Sequence, residues 1–263
     1  MIARLLIEFT TNLSPDLNCD TDRDISSTFA QTKADAVLYA PYGGEEAGSG
    51  LADVLWGKVN PSARMPVTVY KQAWADAMNC KNYTESPGRA RKYNADCDTS
   101  ILQLDLERGI GRTHRYLSDA ATYVKHHLGF GLSYTSFAYS GLKAAFAKSN
   151  LTVSVTVKNT GGVDGAEVVQ VYAAPSKEAA AKMPKAAPLK NLVGFVKVEV
   201  PKGSSKVVEV PVDTTQLETA MEDGTRVLVP GSYTLSVGGH QPGDSEGDAG
   251  SSGKAVSATI AVP

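Results

Sequence analysis

The chain has 263 residues, 42% of them hydrophobic and 21% charged, which leaves room for two ordinary domains with real cores, or for one large one. A formal net charge of −2 gives no electrostatic case for nucleic acid or an anionic membrane. No apolar run approaches the ~20 residues a bilayer-spanning helix needs, and the three cysteines match neither a disulfide scaffold nor a zinc spacing, so no metal or cofactor is expected.

Met1-Ile2-Ala3-Arg4-Leu5-Leu6-Ile7 opens like a signal sequence, but Glu8 interrupts its apolar core and no clean cleavage site follows. No signal peptide is therefore assigned. The chain stays polar and weakly patterned to Lys33. Ala34-Asp35-Ala36-Val37-Leu38-Tyr39-Ala40 then reads as a short buried strand, stopped by Pro41 and Gly43-Gly44. Between Ser49 and Trp56, the residues Leu51, Ala52, Val54 and Leu55 fit one face of a short helix that Gly57 ends. Strand, glycine turn and helix form the local unit of an α/β layer.

Asn60-Pro61-Ser62 turns the chain into a second predicted strand over residues 65–70, where Pro66 suits a strand start or an edge. Residues 72–110 form a long polar stretch without pattern, of the kind that carries function or stays disordered. Cys80 and Cys97 could close a loop there in an exported protein, leaving Cys19 free, and buried thiols fit equally well. Sequons at Asn12, Asn82 and Asn150 lean towards export, with Asn82 and Asn150 as candidate glycosylation sites.

Two differently written halves meet at Gly129-Phe130-Gly131-Leu132-Ser133-Tyr134-Thr135. Glycine lets backbones approach closely, and Phe130 and Tyr134 are expected to bury area at this join. His126-His127, just before it, are adjacent and so rarely share a metal; a surface position is expected for them.

After the join, predicted strands follow at 151–157, 166–173, 192–200, 206–212, 226–229, 232–237 and 255–262. Pro201-Lys202-Gly203-Ser204-Ser205 reads as one hairpin connection and Pro230-Gly231 as another. The lysines between Lys177 and Lys190 are interleaved with Ala and Pro, which fits a solvated loop. Short strands at this spacing describe an antiparallel β-sandwich, and the domain boundary is placed at residues 1–140 and 141–263.

Four ordered stretches resemble the C-terminal portion of glycoside hydrolase family 3, the β-glucosidases and β-xylosidases. They are Ala52-Asp53-Val54-Leu55-Trp56-Gly57 with Asn60-Pro61-Ser62-Ala63-Arg64-Met65-Pro66-Val67-Thr68; Gly111-Arg112-Thr113-His114-Arg115-Tyr116; the join through Phe137; and the strands around Asn159-Thr160-Gly161, Glu167-Val168-Val169-Gln170-Val171-Tyr172, Leu192-Val193-Gly194-Phe195 and Pro230-Gly231-Ser232-Tyr233. The resemblance begins at about Asp24 and departs at His114, where the family usually has an aromatic, and at Ala63, where it usually has glycine. It implies a partial α/β sandwich domain followed by an immunoglobulin-like, fibronectin type III-like β-sandwich. The phrase at Arg112-Thr113 looks somewhat more like the β-xylosidase branch, which implies xylan breakdown and an extracellular setting.

The same resemblance implies that the chemistry lies elsewhere. A retaining glycosidase needs two carboxyl groups about 5–5.5 Å apart. In this family the nucleophilic aspartate belongs to an N-terminal barrel, which takes ~250 residues. Within the chain, Glu45 and Glu46 are the best carboxylate candidates, because they sit in a glycine-rich loop at a strand end; adjacent residues point different ways, so lining the site is the expected role. Arg112 and Arg115 suit either a grip on a sugar hydroxyl or a pin between the polar loop and the domain beneath, with the pin favoured. Trp56 and Trp74 suit stacking on a sugar ring or core packing. Asp53 is expected to cap or pair, and Ser133 has no triad around it. The leading expectation is an inactive, partial exo-acting β-glycosidase whose partner, if any, is a β-linked carbohydrate; the second is a non-catalytic module that binds carbohydrate or protein.

Overall fold

The computed structural model describes residues 5–8, 36–40, 44–71, 113–117, 120–147, 150–184, 187–242 and 253–262. Two compact units divide the chain. The first takes Met1–Val59, Val69–Gln103 and Thr122–Lys125; the second takes Asn60–Thr68, Leu104–Ala121 and His126–Pro263.

In the first unit, strand β1 (Leu5–Glu8) pairs in parallel with β2 (Ala36–Tyr39), Leu5 facing Ala36 and Glu8 facing Tyr39. Of the apolar run that opens like a signal sequence, the described residues Leu5, Leu6 and Ile7 lie in this strand; a short apolar run carries no periodicity of its own. Helix α1 (Ala47–Leu55) follows β2 after a glycine-containing turn. It stops at Gly57, whose φ of +73° lets its N–H turn back onto the Val54 carbonyl at 3.1 Å. Strand β3 (Val69–Tyr70) pairs with β4 (Val124–His126). The strand predicted over 65–70 is thus realised only in its last two residues, because Met65 spends its backbone groups on the join: its N–H donates to the Phe130 carbonyl and its carbonyl accepts from the Gly129 N–H.

The second unit is built on two facing antiparallel sheets. One has the order β13-β12-β7-β8 and the other β5-β6-β9. Their strands are β5 (Phe137–Ala147), β6 (Asn150–Asn159), β7 (Gly165–Pro175), β8 (Asn191–Val200), β9 (Ser205–Asp213), β12 (Gly231–Gly238) and β13 (Val256–Val262). A small ribbon of β10 (Thr219–Ala220) and β11 (Arg226–Val227) lies between β9 and β12 in sequence. Alternation does the sorting: Val153, Val155 and Val157 of β6 are fully buried with Val169, Val171, Leu235 and Val237, while Thr152 and Lys158 face water. Each such buried apolar side chain contributes about 1.5–3 kcal/mol before the entropy of ordering it is subtracted.

Two expected hairpins are replaced. Strand β8 pairs with β7 and β9 pairs with β6, so residues 201–204 cross from one sheet to the other. Likewise β11 pairs with β10 rather than with β12. The local sequence marks each turn, but the turn does not choose the partner. Strand β5 was not expected at all. Its register slips between Ser140 and Lys143, at Gly141 (φ +64°), so the inward positions change from Phe137 and Tyr139 to Leu142, Ala144 and Phe146. That change of parity hides the alternation.

Candidate functional site

Glu45 and Glu46 occupy the turn that leads into α1, and both are exposed. Glu46 stands at the N-cap position, and its carboxylate accepts the Ser49 hydroxyl at 2.8 Å, which sets a negative charge at the positive end of the helix. Trp56 closes the same helix with 82% of its surface exposed. Asp53 pairs with Lys58 at 3.0 Å across the last turn.

In the second unit, helix α2 (Thr113–Tyr116) starts at Thr113, which has a φ of +57°. Arg115 is exposed, yet its guanidinium donates to Asn191 Oδ1 at 2.8 Å and lies over the Tyr116 ring at 5.6 Å. Its carbonyl accepts the Leu189 N–H at 2.8 Å, so the residue ties this turn to the edge of β8 through both backbone and side chain. His114 meets Tyr172 edge-on, with ring centroids 5.9 Å apart. Burial, then the charges of Arg115 and Lys190, lower its pKa to about 4. A neutral imidazole at neutral pH packs here as an aromatic ring would. Arg112, Trp74, Cys19, Cys80, Cys97, Asn12 and Asn82 lie outside the described residues, as does the side chain of Asn150.

The motifs at residues 60–66 and 129–135 come together as a polar seam against the sandwich. Asn60 Oδ1 accepts the Ser133 hydroxyl at 2.9 Å and the Tyr134 N–H at 2.8 Å, while Asn60 Nδ2 donates to the Asp164 carbonyl. Asn159 is fully buried: its Oδ1 accepts from Thr135 Oγ1 and the Gly161 N–H, and its Nδ2 donates to the Val163 and Val200 carbonyls. Arg64 Nη2 donates to Glu167 Oε2 at 2.6 Å, the two side chains being 4% and 0% exposed. Tyr139 donates to the other oxygen, Oε1, at 2.8 Å. Burial first, and the Glu167 charge second, push the Tyr139 phenol well above its ordinary range, which keeps it a donor.

Close approach at the seam explains its glycines. A Cβ on Gly131 would stand 2.7 Å from the Ala63 carbonyl oxygen, and one on Gly165 would stand 2.8 Å from Asn60 Nδ2. Two expectations about the join need correcting. Tyr134 is 51% exposed, because its backbone rather than its ring holds the seam. His127 is buried rather than superficial, and His126 stacks on Phe130 at 4.4 Å; both histidines belong to the join's packing. The pairing of Glu167 with Arg64 and Tyr139 escaped sequence reasoning, since a polar residue inside an alternating strand gives no sign of its partner. The only available signal was Glu167 at an inward position of β7.

Among the described residues, no group of three or more His, Cys, Asp or Glu side chains could hold a metal ion. None of their helices is long and apolar enough to cross a membrane.

Residues 20–134 match the glycosyl hydrolase family 3 C-terminal domain, and residues 167–241 match the fibronectin type III-like domain. The chain carries the C-terminal domain of glycoside hydrolase family 3, with a fibronectin type III-like domain after it. Family 3 relatives include beta-glucosidase B of Emericella nidulans, 37% identical over 213 residues, with 78% of this chain and 24% of the relative covered. The exo-1,4-beta-xylosidase bxlB of the same organism is 33% identical, covering 81% of this chain and 27% of its own. Beta-glucosidase 3B of Thermotoga neapolitana, solved with glycerol, superposes with a TM-score of 0.67 at 26% identity, over 92% of this chain and 30% of that one. The Streptomyces venezuelae beta-glucosidase DesR, solved with D-glucose, gives 0.64 at 26% identity over 88% of this chain and 27% of that one. The chain spans about a quarter of the length of the curated family 3 relatives it matches.

Proposed function

We propose that this chain is the supporting share of an exo-acting β-glycosidase, and that these 263 residues alone do not hydrolyse glycosides. The activity it supports is that of a β-glucosidase or β-xylosidase, removing single sugars from the ends of β-linked glycans. The relatives' names support that substrate class. The β-xylosidase branch, an extracellular setting and a role in xylan breakdown belong to the same reading, with the sequons as further support.

The observation that carries the proposal is the seam. Asn60, Arg64, Gly131, Ser133, Thr135 and Asn159, which make up much of the family resemblance, spend their hydrogen-bonding groups or their small size on one another and on the sandwich. Residues so engaged hold a structure; they do not face a sugar. The carboxylate candidates Glu45 and Glu46 are consecutive surface residues and do not flank a ring as a catalytic pair must. A barrel takes about 250 residues, and the two family matches, at 20–134 and 167–241, already occupy most of these 263.

The test is hydrolysis of aryl β-glucosides and aryl β-xylosides by the purified chain. We expect release of the aryl alcohol at the rate of buffer alone. Turnover above that rate, abolished by Glu45→Gln or Glu46→Gln, would overturn the proposal.

A further inference from the structure

Arg115 uses part of its guanidinium to hold a turn and presents the rest to solvent. Its Nε donates to Asn191 Oδ1 at 2.8 Å, and its Cζ lies 5.6 Å from the centre of the Tyr116 ring, so two contacts fix where the group points. Asn191 is the first residue of β8, a strand paired along its length with β7, which makes that support rigid. Yet Arg115 is exposed, and neither Nη1 nor Nη2 donates to a described residue. Asn191 Nδ2, beside them, likewise donates to none. Among the described residues Arg115 has no carboxylate partner. The charges that act on the neighbouring His114 are both positive: burial first, then Arg115 and Lys190, lower its pKa to about 4. An ordinary surface arginine gives up side-chain entropy when it pairs, which is one reason exposed ion pairs contribute little. Here Asn191 and Tyr116 have already ordered the group, and its planar pair of terminal nitrogens is aimed before anything binds.

We propose that Arg115 is a carboxylate-binding residue, and that the fork it presents beside Asn191 takes the acid group of a uronic acid carried on a β-linked oligosaccharide. The two terminal nitrogens match the two oxygens of one carboxylate, and the positive surroundings favour an anion. The carboxylate half of this assignment rests on the geometry of Arg115 and Asn191. The sugar half rests on the reading of the chain as a share of a β-glycosidase. Such a site selects acidic glycans and breaks no bond, so it adds a recognition role to a chain proposed above as support.

The experiment is an NMR titration of the full chain with three probes: xylotriose bearing a glucuronic acid branch, neutral xylotriose, and sodium acetate. The Arg115 Nε–H, held by Asn191, serves as the reporter, together with the backbone amides of residues 113–117 and 189–191. The acidic sugar is expected to shift these signals saturably, with a Kd on the order of 1 mM. Raising the salt from about 0.05 M to about 0.5 M should weaken that binding several-fold. Neutral xylotriose and acetate should not saturate over the same range. Arg115→Lys keeps the charge but loses the planar fork, and should bind about tenfold more weakly. Asn191→Ala keeps the whole guanidinium but lets it swing, and should also weaken binding several-fold. Were Arg115 a pin alone, both variants would lower the melting temperature and leave the titration unchanged. The proposal is overturned by that result, by the absence of a saturable shift, by an equal response to neutral xylotriose, or by acetate binding as tightly as the acidic sugar. Hydrolysis plays no part in the readout, so a failure here is distinct from a failure of the proposed function.

Discussion

His114 shows how one side chain can link burial to acid sensitivity. Its pKa is lowered to about 4, by burial first and then by Arg115 and Lys190, whereas an unfolded histidine titrates near 6.5. The unfolded chain therefore takes up a proton that the native chain refuses. The stability this represents is complete above about pH 6.5 and drains away as pH falls towards 4. Because the ring is partly exposed, solvent screening reduces the loss between pH 7 and pH 5 to on the order of 1 kcal/mol. His114→Phe keeps an edge-on ring against Tyr172 and removes the titration. Urea midpoints at pH 7, 6 and 5 should fall for the wild type and stay nearly level for the variant; an unchanged slope would show that His114 is not the responsive group. The departure from the family's usual aromatic was visible in the sequence. Its partner Tyr172 was not, since nothing local to either residue brings them together.

The seam is where the elements depend on one another, and its glycines make that dependence measurable. A methyl group on Gly131 would meet the Ala63 carbonyl oxygen, a backbone atom that no rotamer change can move aside. Gly131→Ala should cost about 1–3 kcal/mol. Gly162→Ala, with nothing within 4 Å of the new atom, should stay within about 0.5 kcal/mol. Equal effects on the chemical denaturation midpoint would contradict this reading of the join. Asn159→Ala should be harsher still, about 2 kcal/mol or more, because Val163 and Val200 lose a donor and Thr135 and Gly161 an acceptor around a fully buried site. Alternation made most of the sandwich strands legible, from β6 to β13, and the glycines marked the join. Pairing was less legible. The links at 201–204 and 230 look like hairpin turns, yet sheet partners are chosen by burial across the whole module. Strand β5 stayed hidden because its bulge at Gly141 reverses which residues face inward.

Taken whole, most of the phrases that carry the family resemblance make structural contacts within the second unit, which is why we propose them as support. Asn60, Arg64, Ser133, Thr135 and Asn159 are the residues a motif search would mark as a functional site, and each makes at least one side-chain hydrogen bond inside the second unit. The family and the sandwich could be read from residue patterns because motifs and periodicity are local. The commitment of those residues could not, because hydrogen bonds such as Arg64 to Glu167 join positions far apart in sequence. The most direct measurement asks whether a glycosyl-accepting carboxylate exists anywhere in these residues. The purified chain would be incubated with a fluorosugar inactivator, an activated β-glucoside or β-xyloside whose fluorine slows turnover of the covalent glycosyl-enzyme that a retaining glycosidase forms. Intact-mass spectrometry should then show the unmodified chain alone. A stoichiometric sugar adduct on an aspartate or glutamate of this chain would contradict the assignment of its residues to support.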